Sequence, residues 1–393
     1  MNPSAQGWIN KFGHLIREVV TPYPNYKTLY KALLDHGFVY GVHLSTPSFI
    51  ETEHRFTEDE IAKTNLLTAL YCSYHFETGK ADFEGFVATV FDYYTALEVG
   101  TISFLQKILS GKQTEAQLEK LLDSRIYLNG NAFSRAFGNS LTNSLLYVDT
   151  LIFRRHLQGH PDIMAHAQLL EYVTINMAYQ ALNSKEINQS DARLMQLLAA
   201  SLTYVDLKEA RFEESYVELL QDRFNTSEKQ YLLDIACLTI WEDGQLENTE
   251  TAFVDELGGL LGKDRTAIQK ALTNVVVFFQ TNRERIPYLK DLNLASRFYE
   301  GMTRNVSKLI LRNSKRLKKE LSESRELVKL LAKSATQELT QEERKKIQQQ
   351  LLDIFKTIPS LAIFMLPGGA VLLPIFIKLI PKLLPSAFDD NRV

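Results

Sequence analysis

Three groups of side chains have the types and spacing that chemistry needs. The first is the acidic turn WEDGQLENTE, which carries Asp243, Glu247 and Glu250. Carboxylates at a turn ahead of a helix N-terminus can hold a hard cation through oxygen ligands, although an EF-hand would set its acids at alternate loop positions and close with a glutamate at the twelfth. The same letters also read as a plain Asp243-Gly244 turn, with Asn248 or Thr249 capping the next helix and the acids favouring its dipole. The second group is RRHLQGHPDIMAH, where His156 and His160 stand four residues apart and His166 lies nearby. One helical turn would bring the first two together as metal ligands. Gly159 and Pro161 flank His160, so the helix should end there, leaving Arg154, Arg155 and the histidines as cations near a helix C-terminus. The third group is Cys72 and Cys237, far apart and each inside a helical pattern. They read as buried free thiols in a reducing compartment, and no CxxC pair suggests zinc or redox work. No phosphate-cradling glycine loop, zinc-protease helix or nucleophile elbow is present. The sequence implies no enzyme and no cofactor.

What must position these groups is a helical array. Helical periodicity dominates and alternating strand patterns are nearly absent, so the fold class is all-α. TEDEIAKTNLLTALYCSYHFETG shows the grammar: Thr57 as N-cap, Glu58, Asp59 and Glu60 in the first turn, Gly79 at the end. Three stretches, from Asn65, Leu170 and Tyr231, share a design of apolar helix, polar turn and second apolar helix. At 393 residues, with 45% hydrophobic and 23% charged side chains, the chain is an ordinary globular one with room for several domains. We divide it into an N-terminal helical region (1–223), a second helical region (224–285), a long basic helix (286–335), and an approach helix with an apolar segment (336–393). In the basic helix Val306, Ile310, Leu317, Leu321 and Val328 fall at steps of four and seven, with Asn313 on the same stripe. That pattern fits a coiled-coil arm, giving self-association or a protein partner through residues 304–333, or an amphipathic helix lying on the body.

The net charge of −3 hides an asymmetry: residues 304–356 hold fourteen Lys and Arg against seven Asp and Glu. This local excess points to an anionic neighbour. Stacking aromatics and recognition motifs are missing from that block, so nucleic acid is not the expected partner. Anionic lipid is, because an apolar ribbon follows directly. From Ile358 to Ile377 twenty residues pass without a charge, flanked by Lys356 and Lys378. Twenty helical residues span about 30 Å, the thickness of a bilayer core. Prolines recur at Pro359, Pro367, Pro374 and Pro381, at steps that share one helical face, and Gly368-Gly369 follows the second. The expected element is a kinked membrane span, or two half-helices breaking at Pro-Gly-Gly, with Lys315, Arg316, Lys318, Lys319, Arg344, Lys345 and Lys346 facing lipid on the cytoplasmic side. The alternative is a hairpin buried in the chain's own core. The N-terminus, MNPSAQGWINKFGHLIREVV, carries no cleavable export pattern, which keeps the bulk of the chain cytoplasmic.

Two family resemblances add to this reading. Residues 339–388 closely resemble the approach helix and membrane segment of the LETM family, through Arg344–Lys346, Pro359, Leu372-Leu373-Pro374, Lys378-Leu379, Pro381, Leu384-Pro385-Ser386 and Phe388. This likeness implies residence in a membrane, here a bacterial inner membrane. It also implies a link to cation–proton exchange and ribosome association, and some shortened bacterial relatives carry a biofilm label. The family's span commonly holds a glutamate where Ala370 stands here, and its large soluble domain would begin where this chain stops. Residues 231–273 are similar to the central hairpin of TerB-like domains, which implies a metal role for Asp243, Glu247 and Glu250. The resulting expectation is a membrane-associated helical protein in cation or envelope physiology. The alternative is a helical interaction scaffold whose tail packs in its own core, or a ribosome-associated protein.

Overall fold

The computed structural model describes residues 1–19, 22–52, 54–97, 108–126, 146–184, 189–202, 215–241, 248–286, 294–334, 337, 339–358, 361, 364–365 and 369–389. Every regular element among them is helical. The first half holds α1 (Trp8–Glu18), α2 (Tyr26–Asp35), α3 (Glu58–Thr78), α4 (Phe83–Ala96), α5 (Glu115–Ile126), α6 (Leu146–Leu157) and α7 (Ile163–Asn183). Next come α8 (Gln189–Leu202), α9 (Ser215–Asp222), α10 (Thr226–Ile240), α11 (Asn248–Leu260) and α12 (Arg265–Asn282). The last part holds α13 (Leu294–Arg312), α14 (Ser314–Glu323), α15 (Arg325–Ser334), α16 (Gln341–Thr357), α17 (Leu373–Leu383) and α18 (Ser386–Asp389).

Local signals set the helix ends. Thr57 and Glu60 close a capping box on α3, whose first turn is acidic, and Gly79 ends it in the left-handed region at φ 69°. Gly159, at φ 74°, follows α6 as its position in the sequence predicts. The pairs α3–α4, α7–α8 and α10–α11 each pack together, so the three helix–turn–helix stretches are real hairpins. Their buried side chains belong to one apolar cluster that runs from Trp8 to Leu384. Helix α8 packs on α7 at one side and on α13 and α17 at the other, joining the early helices to the late ones.

One expectation is corrected. The long basic helix is three helices, α13, α14 and α15, broken at Asn313 and Ser324. The Asn313 amide donates to the Leu309 carbonyl at 2.7 Å, and the Ser324 hydroxyl turns to Gln350 of α16 at 2.8 Å. Such short polar side chains offer the backbone local bonds that compete with a helix. The stripe Val306, Ile310, Leu317, Leu321 and Val328 is almost wholly buried in the body. All five are buried by three short helices rather than by one arm.

Buried polar groups fix how the early helices meet. Asp149 of α6 accepts Arg125 of α5 at 2.7 and 3.0 Å and Tyr94 at 2.9 Å. Glu228, in the capping box of α10, is the second hub. It accepts the Asn225 amide at 2.8 Å and Arg155 at 2.6 and 2.7 Å, and meets His166 Nε2 at 2.9 Å. Burial pushes its carboxyl up, but Arg155 and His166 more than offset this and hold it below its usual value. Arg154 leans the other way, onto Glu77 at 2.6 Å, with its guanidinium 3.7 Å from the Tyr26 ring centre. A third group, Asp234 of α10, is fully buried and accepts Tyr30 at 2.6 Å and Gln230 at 3.1 Å.

Two predictions follow from these pairs. Arg125→Met leaves a buried carboxylate without its cation, which should cost about 3–5 kcal/mol of stability, read as a lower urea midpoint. An unchanged midpoint would mean that the pair is open in solution. Burial pushes the Asp234 carboxyl from 3.8 up to about 6, against the smaller opposing effect of its hydrogen bonds. The folded state therefore binds this proton more tightly, so the group's stabilisation is whole below pH 3.8 and is lost as pH rises through about 6. The loss amounts to about 3 kcal/mol. Asp234→Asn should remove that part of the slope in urea titrations run across this window, and identical slopes would place Asp234 in contact with water.

Candidate functional site: a caged apolar segment with a basic rim

Helix α16 begins in a capping box between Thr340 and Glu343 and buries Ile347, Leu351, Ile354 and Phe355, an i, i+4, i+7, i+8 stripe. Its backbone turns extended at Ile358, and the apolar ribbon starts there. The ribbon does not continue the helix. A single 3-10 turn covers Ala370–Leu372, with the Leu372 amide bonded to the Gly369 carbonyl at 3.0 Å. Helix α17 then runs for eleven residues. At 1.5 Å per residue that is roughly 16 Å, about half a bilayer core. Among the described residues no helix is long and apolar enough to cross a membrane. The kinked span or pair of half-helices expected of this ribbon is therefore not confirmed among the described residues.

The described residues of the ribbon are packed inside the protein. Phe355 and Phe364 stack with centres 4.6 Å apart, and Phe376 meets each edge-on at 5.0 Å. Val371, Leu373, Ile375, Ile377, Ile380 and Leu384 are each at most 5% exposed. Helix α17 rests against α13, α15 and α8, and the Ser201 hydroxyl of α8 donates to the Val371 carbonyl at 3.4 Å.

The prolines fit this cage. Pro374 stands in the first turn of α17, where its missing N–H has no helical partner to lose. Pro381 lies inside the last turn. The two share the outer face, as their seven-residue step predicts, beside exposed Lys378 and Lys382. Pro359, Pro367 and Gly368 lie outside the described residues, and Gly369 is buried.

Around the cage sits a cationic rim. On α14, Leu317 and Leu321 point inward while Lys315, Arg316, Lys318 and Lys319 are exposed. On α16, Lys345 and Lys346 are exposed and Arg344 is half-buried. Lys346 pairs with Glu326 of α15 at 3.0 Å, which ties part of the rim to the cage itself.

The other candidates do not assemble. Asp243 and Glu247 lie outside the described residues, and Glu250 falls in the first turn of α11. Among the described residues no group of three or more His, Cys, Asp or Glu could hold a metal ion. His166 is engaged by Glu228, His156 lies against the Tyr93 ring, and His160 is exposed, so these three do not converge. Cys72 and Cys237 are buried free thiols, each pushed up by burial, Cys72 to about 12. What the sequence reading missed is that Arg154 and Arg155 clamp α6 to other elements. The visible signal was the capping motif NTSE at 225–228, three residues of which receive those guanidiniums or cap the helix.

Comparison with known proteins singles out this same end of the chain. Residues 339–393 match the family described as LETM1-like, RBD. A stretch of 55 residues, 14% of this chain, is 40% identical to the LETM1 domain-containing protein mdm28, mitochondrial, of Schizosaccharomyces pombe. That stretch covers 12% of the relative's length. No solved structure matches the chain. The C-terminal segment that forms the cage's filling is LETM1-like.

Proposed function

We propose that this chain is a LETM-related helical scaffold that docks on an anionic membrane surface through the basic rim while its apolar segment stays inside its own core. The observation that carries this reading is the burial of the ribbon around Phe355, Phe364 and Phe376. A segment whose apolar side chains are already spent on α8, α13 and α15 gains little from lipid tails. The exposed cations of α14, with Lys345 of α16, remain available to lipid headgroups, each worth about 1 kcal/mol near an anionic leaflet. The reading includes no ion pathway, because no acid lies between Lys356 and Asp389 to carry a cation or proton.

A second reading is favoured by one observation: the charge-free run of twenty residues from Ile358 to Ile377 has the length of a span if unpacked. Sedimentation of the full chain with vesicles separates the two. The first reading expects pelleting with vesicles containing phosphatidylserine, release by high salt or carbonate, and no pelleting with neutral phosphatidylcholine. The combined variant Lys315→Glu, Arg316→Glu, Lys318→Glu, Lys319→Glu should weaken binding by more than tenfold. Carbonate-resistant pelleting would overturn it in favour of insertion.

The cage itself is tested in the absence of lipid. Phe376→Ala should cost about 3–5 kcal/mol in aqueous buffer, seen as a lower unfolding temperature. If the ribbon's apolar side chains worked only in lipid, that transition would not move.

A further inference from the structure

The outer face of α13 and α14 carries a pattern that packing against the body does not explain. From Arg304 to Lys319 the chain holds seven Lys and Arg and no acid. Met302, Val306, Ile310, Leu317 and Leu321 turn into the body and are fully buried. Arg304, Lys308, Leu311, Lys315 and Lys318 fall on the opposite side, at steps of four, three, four and three. The bend at Asn313 keeps this register. The Asn313 backbone N–H donates to the Leu309 carbonyl at 3.2 Å, and the Leu317 N–H donates to the Asn313 carbonyl at 2.8 Å. Both bonds reach back four residues as in a helix, so the ladder runs for about 21 Å.

Leu311 is the exception among the rungs. It is 53% exposed, on a side where every other rung is a cation. Among the described residues one other large apolar side chain is as open, Val277 of α12 at 52%. The residues one turn from Val277 are Thr273, Asn274, Gln280 and Thr281, all neutral. A single apolar side chain in that setting needs no explanation. Leu311 instead has Lys308 and Lys315 one turn away and Arg304 and Lys318 two turns away. Such a ring favours an anionic partner. A partner that also takes up the leucine needs an apolar layer beneath its charge. A bilayer has one, with anionic headgroups at one depth and acyl chains just below. Lys and Arg are long enough to keep their charges at the headgroups while a neighbouring apolar side chain goes deeper. A nucleic-acid backbone offers the charge without that layer, and its bases call for stacking aromatics that this face lacks.

We propose that Leu311 is the insertion point of the membrane-docking face, entering the acyl boundary while Arg304, Lys308, Lys315 and Lys318 hold anionic headgroups around it. The inference rests on docking through the basic rim, and it fixes which side of α13 and α14 lies on the bilayer. It also separates lipid from a soluble polyanion, which the cations alone do not.

The test uses the full chain with Leu311→Cys, labelled with an environment-sensitive maleimide dye. Cys72 and Cys237 are buried, so the dye goes to the introduced thiol. Val277→Cys, labelled in the same way, is the reference. With vesicles containing phosphatidylserine, the dye replacing Leu311 should brighten and shift to the blue. Lipids with a nitroxide near the top of the acyl chain should quench it more than lipids with one near the chain end. The dye replacing Val277 should do neither. In sedimentation, Leu311→Gln keeps helix propensity and every cation, and should bind these vesicles about tenfold more weakly, as expected when half a leucine side chain no longer leaves water. Its binding to heparin should match that of the parent chain. A parent chain that ignores phosphatidylserine vesicles sinks docking and insertion together. If the parent chain binds but the dye replacing Leu311 stays silent, or Leu311→Gln binds as tightly, insertion alone falls and the cations are the whole contact. An equal loss of Leu311→Gln toward heparin would also overturn it, because the leucine would then act through the helix and not through lipid.

Discussion

The constraint that organises this protein is the twenty-residue charge-free stretch at its C-terminal end, which must leave water by some route. Fully burying one Leu, Ile or Phe side chain is worth about 1.5–3 kcal/mol, and this stretch and its flanks hold nearly a dozen such residues at low exposure. No local rearrangement could compensate for exposing them. The architecture of the last hundred residues follows from that demand. Helices α13 and α15 both pack on α17. The chain between them has to turn twice in a short distance. Asn313 and Ser324 provide those turns, each with a side-chain bond that satisfies local backbone or a neighbouring helix.

The early helices solve a different problem. Their contacts are apolar in bulk, and apolar contact alone fixes register loosely. Three buried polar hubs at Asp149, Glu228 and Asp234 add direction. Buried ion pairs are poor sources of net stability, because desolvation offsets much of the attraction. What they supply here is geometry: Glu228 can accept Arg155, His166 and its own helix cap at once only if α6, α7 and α10 stand in one arrangement. The cap is thereby part of the tertiary structure, and a one-turn slip of any of the three helices would leave a charge buried and unpaired.

Much of this was legible from the sequence, and the gaps have physical causes. Helix starts such as Thr57 and stops such as Gly79 and Gly159 depend on neighbours within a turn, so they can be read locally. The stripe from Val306 to Val328 was correctly apolar, but its partner was not legible. A heptad-like pattern says which residues want burial, and says nothing about whether one helix or three will bury them. The ribbon carries the same ambiguity at larger scale: a bilayer core and a protein core both accept Phe364, Phe376 and Ile380, and hydropathy does not distinguish them. Arg154, Arg155 and His166 were recognised as cations near a helix end, while their acceptors Glu77 and Glu228 lie more than sixty residues away in sequence.

The prolines show how one sequence pattern serves a cage as well as it would serve a span. In a bilayer, a proline's freed carbonyl needs a neighbouring group to satisfy it. In α17 the two described prolines face outward, beside Lys378 and Lys382, where water reaches the backbone. The inner face, from Phe376 to Ile380, keeps its side chains and loses nothing to proline. The seven-residue spacing therefore sorts the helix into a face that tolerates interrupted hydrogen bonds and a face that packs. That division explains why a segment so rich in proline can remain helical inside a protein, and why its exposed side is also its charged side. A helix built in this way presents cations to an anionic surface only on the face it does not need for its own folding.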